Sequence, residues 1–302
     1  MRVLRVFSAV AVIALILSGC GVKETKVTPV TSQQKHGYPI QVTDDRGKTV
    51  TVNSEPKRIV SLTPSDTEIL FALGLGDRIV GVTKWCDFPE EAKKKTQVGD
   101  VNISVEKVVS LSPDLIIAHA TLNDSVIRQL EGLGKTVIAL DPKNLEEINK
   151  DISLIALACK KEKEADILNC EIIDKIKAVS ESSKSKTGAR TLVAVQANPL
   201  WAAGPETLAD EMLAICRAEN VARDARPGYN TFPIERALAR DPQVIIVGKE
   251  DERDFFLNSP VWKNTTAVKS QKVVVINPDL LVRPGPRISQ GLVKLAESVM
   301  LD

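Results

Sequence analysis

Few residues in this 302-residue chain are equipped to hold or transform another molecule, since aromatic side chains make up only 4% of it and there are two histidines. Trp85, Asp87 and Phe88 lie together in "TKWCDFP", and His119 opens "HATLN". Trp201 stands in "NPLWAAG", Tyr229 and Phe232 in "RPGYNTF", and Arg283 and Arg287 in "NPDLLVRPGPR". All five segments have loop-like composition, and broad rings in such places offer a large amphiphilic ligand both contact area and stacking. Arg283 could pair with a ligand carboxylate, phosphate or amide, whereas Arg287 fits the first turn of a helix, serving packing or the rim. Two uses are open to His119: an axial ligand to a metal held inside a bound molecule, or a hydrogen bond in a cleft. A multi-histidine metal site is excluded, because the other histidine, His36, lies in a polar stretch near the N-terminus.

A second constellation is a repeat. "VEKVVSLSPDLII" (105–117) returns as "IERALARDPQVII" (234–246), so Glu106 and Glu235 each precede a proline and an apolar run at the same spacing. Each acid falls in the first turn of an expected helix, which Ser104 can cap in one copy and Pro233 can open in the other. There a carboxylate complements the helix dipole by roughly 0.3–1 kcal/mol. That role alone would account for either acid.

The elements that must position these residues follow from periodicity. "IQVTDDRGKTVTV" reads as a hairpin turned at Asp45-Arg46-Gly47. Short runs that are apolar throughout follow at 58–62, 79–82, 115–118, 136–140, 191–197, 244–247 and 272–276, separated by helical patterns. Such alternation predicts parallel sheets covered on both faces. The aromatic segments above follow these strands, and the loops after the carboxyl ends of parallel strands line the crevice of such folds. Between Leu145 and Ser183 neither proline nor glycine occurs, and Ile148, Ile152, Ile155, Leu157, Ile167, Leu168, Ile172, Ile173 and Ile176 keep a helical stripe. One long helix is therefore expected over 143–185. It would join an N-terminal lobe (39–142) to a C-terminal lobe (186–302), giving an α/β protein of two Rossmann-like lobes with mostly parallel sheets. An uninterrupted connector further implies little lobe motion.

Composition sets outer bounds. Forty basic against 39 acidic residues leave a net charge of +1, which gives no electrostatic footprint for nucleic acid. The start, "MRVLRVFSAVAVIALILSGC", combines Arg2 and Arg5 with an apolar run too short for a comfortable membrane span. It fits a signal peptide over 1–19, and Leu17-Ser18-Gly19 before Cys20 resembles a bacterial lipobox. Cys20 is thus the expected lipidation site, with residues 20–38 as a flexible tether holding the protein on the outer side of the cell membrane. Cys86, Cys159, Cys170 and Cys216 show no zinc-like spacing; Cys159 and Cys170, on one expected helix, stand too far apart to bridge.

Several stretches together are similar to the substrate-binding proteins of ABC importers for cobalamin, ferric siderophores and haem. They are "RIVSLTPSDTEILFALGLGDRIVGVTKWCDFP", "VSLSPDLIIA", the long helix, "ICRAENVARDAR", "ERALARDPQVIIV" and "RPGPRI". The resemblance covers essentially all of the chain after the tether and implies the class III periplasmic binding protein fold, with ligand held between the lobes. It further implies that Glu106 and Glu235 dock onto arginines of a permease dimer served by a cytoplasmic ATPase. One acid per lobe suits a pseudo-twofold partner. "WCDFP" and "RPGPRI" resemble the vitamin B12-binding branch most, which makes a corrinoid the expected ligand, with a ferric siderophore or haem as the alternative. His119 would then face cobalt or haem iron, or simply hydrogen-bond. The expected molecule is a monomer with no cofactor or metal of its own and no enzymatic activity. An exported enzyme would need a nucleophile elbow, a triad or a glycine fingerprint, and Gly74 and Gly76 close a helix where a fingerprint opens one.

Overall fold

The computed structural model describes residues 37–301. Cys20, the signal segment 1–19, His36 and the tether up to that residue lie outside the described residues. An antiparallel hairpin opens the fold, β1 (Ile40–Thr43) and β2 (Thr49–Val52), turning at Gly47 with a φ of 74° that glycine adopts without strain. The N-terminal lobe continues with β3 (Ile59–Ser61), α1 (Pro64–Ala72), β4 (Ile79–Val82), β5 (Thr96–Gln97), α2 (Val105–Ser110), β6 (Leu115–His119), α3 (Asp124–Gly132) and β7 (Val137–Leu140). Its five strands form a wholly parallel sheet in the order β5-β4-β3-β6-β7.

Two helices follow, α4 (Leu145–Cys159) and α5 (Glu162–Ser183). The single helix expected over 143–185 is therefore broken. Lys160 takes the left-handed conformation at φ 56°, and Lys161 N donates to Ala156 O at 2.8 Å, a left-handed cap normally built on glycine. The apolar stripe was a poor guide because the two halves serve different surroundings. α4 is buried on most sides, whereas on α5 only Ala165, Ile172, Val179 and Ser183 are buried and Ile167 is 63% exposed. Asn169 Nδ2 donates to Asn149 O and Ser153 Oγ, so α5 doubles back along α4. Cys159 and Cys170 thus belong to different helices; Cys159 is buried and Cys170 exposed.

The C-terminal lobe comprises β8 (Thr187–Gly188), β9 (Arg190–Gln196), β10 (Trp201–Ala203), α6 (Leu208–Ile215), β11 (Glu219–Asn220), β12 (Tyr229–Thr231), α7 (Ile234–Ala239) and β13 (Val244–Val247). It closes with α8 (Glu250–Asn258), α9 (Thr266–Lys269), β14 (Val273–Val275), α10 (Asp279–Val282), α11 (Ile288–Val299) and β15 (Met300–Leu301), which pairs with β8. Strands β11, β9, β13 and β14 pair in parallel, while β10 and β12 add an antiparallel edge.

Alternate strand residues feed different cores. Leu115 and Ile117 of β6, and Val244 and Ile246 of β13, enter one cluster that runs through α4, α5, α6 and α11 and is shared by both lobes. Ile116 and Ala118 face a separate outer core, and Ile245 and Val247 another. Both faces of each sheet are covered, which is why these strands read as unbroken apolar runs.

Candidate functional site: the cleft and its ionic wall

The repeat noticed in the sequence is built twice. Glu106 and Glu235 are each the second residue of a six-residue helix, α2 and α7, and both are exposed without an ion pair among the described residues. Each helix ends in a residue with positive φ before the proline, Ser112 at 47° and Asp241 at 45°. An arginine at the start of the neighbouring strand holds each turn. Arg58 Nε donates to Leu111 O at 2.9 Å, and Arg190 Nε to Arg240 O at 3.0 Å. The sheet registers correspond too, Ile59 with Leu115 and Thr191 with Val244.

Between the lobes lies a cavity of about 450 Å³. The N-terminal lobe supplies most of it: Thr63 and Ser65 at the start of α1, Trp85 after β4, and His119 at the end of β6. The C-terminal lobe closes it with Val282, Arg283 and Pro284. Its rim is apolar and open, with Trp85 52%, Val101 81% and Leu122 77% exposed. Lys84 Nζ lies 4.8 Å from the Trp85 ring centroid and pairs with Asp100 at 2.8 Å.

His119 is engaged on both ring nitrogens. Nδ1 accepts from the backbone N–H groups of Thr121 and Leu122, each at 3.3 Å, and Nε2 faces Asp141 Oδ1 at 3.3 Å. Burial holds its pKa below the usual histidine value, against the pull of Asp141. With Nδ1 accepting, the ring proton sits on Nε2, facing Asp141.

Arg283 touches the cavity but spends its donors within the protein. Its Nη1 bonds Asp87 Oδ1 at 2.8 Å and Glu68 Oε1 at 3.1 Å, and its Nε pairs with Asp279 at 3.1 Å. Arg287 grips the same Glu68 in two bonds, Nε to Oε2 at 2.8 Å and Nη2 to Oε1 at 2.6 Å, and stacks on the Phe88 ring at 3.9 Å. The Glu68 side chain is 2% exposed. Burial raises the Asp87 carboxyl but the Arg283 guanidinium outweighs it, so the group sits below the usual range; at Asp279 burial prevails and the pKa is raised. This cluster joins α1 and the 87–88 loop of one lobe to the 279–287 segment of the other. Behind it opens a second cavity of about 340 Å³, lined in part by Phe88, Glu68, Arg287 and the α5 residues Leu168 and Ile172.

Of the residues singled out from sequence, the cavity gathers Trp85, His119 and Arg283, with Asp87 bonded to Arg283 behind it. Phe88 belongs to the rear cavity. Trp201 and Tyr229 sit on the antiparallel edge, on β10 and β12, and line neither cavity. Tyr229 packs against the shared core, where burial raises its phenol pKa, and Phe232 is buried in the outer core of its lobe. Sequence reasoning missed Glu68. Its signal was faint: an acid in an apolar helix with no base three or four positions away, which calls for a distant partner.

A two-lobed α/β protein with a ligand-sized cleft and a paired acidic surface has the class III periplasmic binding protein architecture. The family model described as periplasmic binding protein matches residues 59–280, and the chain belongs to that family. It is 35% identical to the uncharacterized ABC transporter substrate-binding lipoprotein YvrC of Bacillus subtilis, over 98% of this chain and 97% of that one. It is 29% identical to the vitamin B12-binding protein of Pectobacterium carotovorum, covering 77% of this chain and 84% of the relative. A crystal structure of a possible iron-binding periplasmic solute-binding protein from Staphylococcus epidermidis superposes with a TM-score of 0.72 at 28% identity, over 81% of this chain and 99% of that one. The chain is accordingly a substrate-binding protein of an ABC importer, a class that works outside the cytoplasm and carries ligand instead of transforming it.

Proposed function

We propose that the cleft captures a corrinoid, a cobalamin-like molecule, and that the protein delivers it to the importer's permease dimer through Glu106 and Glu235. Lipidated Cys20 would hold it at the membrane. The observation that carries the ligand reading is the pairing of an open apolar rim with a floor whose charges are internally matched. Trp85, Val101 and Leu122 offer hydrophobic surface to a large ring system. Arg283 on the lining is matched by Glu68, Asp87 and Asp279, and Lys84 beside Trp85 is matched by Asp100, which suits a ligand whose periphery is mostly amide. An anionic ferric siderophore or haem, the second reading, would have to draw Arg283 away from Asp87.

Titration of full-length protein in detergent with cyanocobalamin, followed by tryptophan fluorescence and calorimetry, tests this. One-to-one saturable binding weakened about ten-fold or more by Trp85→Ala is expected. A folded protein that binds ferric siderophores but no corrinoid would sink the corrinoid reading and leave the importer role intact.

A further inference from the structure

The ionic cluster between the lobes does more than hold them together. Two arginines and three carboxylates meet there, so the cluster carries one net negative charge. Arg283 lines the front cavity, Glu68 and Arg287 line the rear one, and the cluster is the partition between them. Glu68 comes from α1 and both arginines from the "RPGPR" segment, so the contact is made across the cleft and not within one lobe. Gly285 packs beside the contact, where a Cβ would reach ordinary van der Waals distance of Glu68 Oε2 (3.5 Å) and Ser65 O (3.6 Å).

The two acids of the N-terminal lobe differ in role. Glu68 is buried and grips both guanidinium groups, whereas the Asp87 side chain is 48% exposed and meets Arg283 alone. A ligand entering the cavity meets an arginine whose charge is already answered.

We propose that Glu68 and Asp87 set the charge selectivity of the cleft, neutralising Arg283 and Arg287 so that the site discriminates against anionic ring systems. Their role is negative: they contribute no contact that a neutral ligand requires. The assignment rests on the cavity being the ligand site, but not on the ligand being a corrinoid. Removing either acid shifts the partition by one positive unit, and at Asp87, whose side chain is 48% exposed at an open cavity, that shift reaches an approaching anion through solvent and is screened by salt.

The test compares wild type, Asp87→Asn and Glu68→Gln, as full-length protein in detergent, against cyanocobalamin and against metal-free protoporphyrin IX, a dicarboxylate that cannot ligate through iron. Asp87→Asn should bind the porphyrin about ten-fold more tightly than wild type at low salt, with the gain shrinking as sodium chloride rises to about 0.5 M. The ratio of porphyrin to cyanocobalamin affinity should therefore rise in this variant. Glu68→Gln, if circular dichroism shows it folded, should move in the same direction. No gain in porphyrin affinity in folded Asp87→Asn, or a gain indifferent to salt, would overturn the proposal. If no variant binds cyanocobalamin yet Asp87→Asn still gains salt-sensitive porphyrin affinity, the corrinoid reading fails and the charge-selectivity assignment stands.

Discussion

The two lobes share a strand register, a proline turn and an exposed acid, yet they treat buried charge in opposite ways. Asp44, Asp66, Glu68 and Asp151 are all buried, and all four belong to the N-terminal lobe or to α4 packed against it. Among the described residues the C-terminal lobe buries no carboxylate; its buried polar groups are neutral, such as Thr191, Thr207 and Asn220. The front cavity follows the same division, with the N-terminal lobe lining most of it and the other lobe adding residues 282–284. Duplication has kept the helix-turn-strand unit that displays Glu106 and Glu235. The faces turned toward the cleft have diverged, one into a charged and open wall, the other into an antiparallel edge that carries Trp201 away from the cavity.

That contrast predicts a pH dependence located in one lobe. Asp151 is fully buried and, among the described residues, neither of its oxygens receives a hydrogen bond. Burial above all, then the nearby Asp45 and Asp66 carboxylates, push its pKa up to about 8, against the pull of Lys150. Asp66, which accepts from Thr63 Oγ1 at 2.5 Å, is pushed by burial to about 7. The unfolded chain releases these protons near 3.8, whereas the folded protein keeps them until about 8 and 7. Between those values the native state binds more protons, so stability falls as pH rises, by an amount on the order of a few kcal/mol. Denaturant midpoints should therefore drop from pH 5 to pH 9. Asp151→Asn, which supplies an amide donor toward Asp45, should flatten the slope. An unchanged slope in that variant would place the titration elsewhere.

A smaller effect separates the lobes by how tightly their elements touch. A Cβ on Gly291 of α11 would stand 1.8 Å from the backbone oxygen of Leu280, which cannot rotate away. At Gly81 of β4 the nearest atom is Leu111 Cδ1 at 2.5 Å, the end of a side chain that can. Gly291→Ala should cost about 3 kcal/mol and Gly81→Ala about 1 kcal/mol, read from urea unfolding. Equal costs would mean that α10 yields as readily as a leucine side chain.

Much of this architecture is legible in the sequence because its signals are local. Runs such as "LIIA" and "VIIV" mark doubly covered strands, and the hairpin at 40–52 declares its turn through Asp44 to Gly47. What escapes is set by partners far along the chain. Nothing around Lys160 announces a helix end: the break is stabilised by the fold, with Tyr38 Oη bonded to Ala158 O and Lys160 Nζ over the Tyr38 ring at 4.8 Å. Arg283 reads as a ligand group until Glu68, 215 positions away, claims it. The expectation of little lobe motion rests on one continuous helix; the lobes are joined instead by α4 and α5, the shared core and that ionic contact.

The finest test of the duplication is the positive-φ residue before each proline. A left-handed backbone costs a residue with a side chain about 1 kcal/mol or more, and glycine avoids it. Among the described residues Ser112 makes no side-chain bond that would repay the strain, so Ser112→Gly should stabilise the N-terminal lobe by up to about 1 kcal/mol after the entropy of the unfolded glycine is subtracted. Asp241 has the same backbone, but its carboxylate accepts from Thr266 N at 2.7 Å and from Thr266 Oγ1 at 2.6 Å, pinning α9. Asp241→Gly should therefore lose about 1 kcal/mol, because two bonds at a helix start outweigh the relief of strain. Opposite signs from one substitution at equivalent positions would show that the turn itself is inherited, while its side chain has been put to use in only one lobe. Matching signs would mean that the backbone alone decides, and that the bonds to Thr266 contribute little.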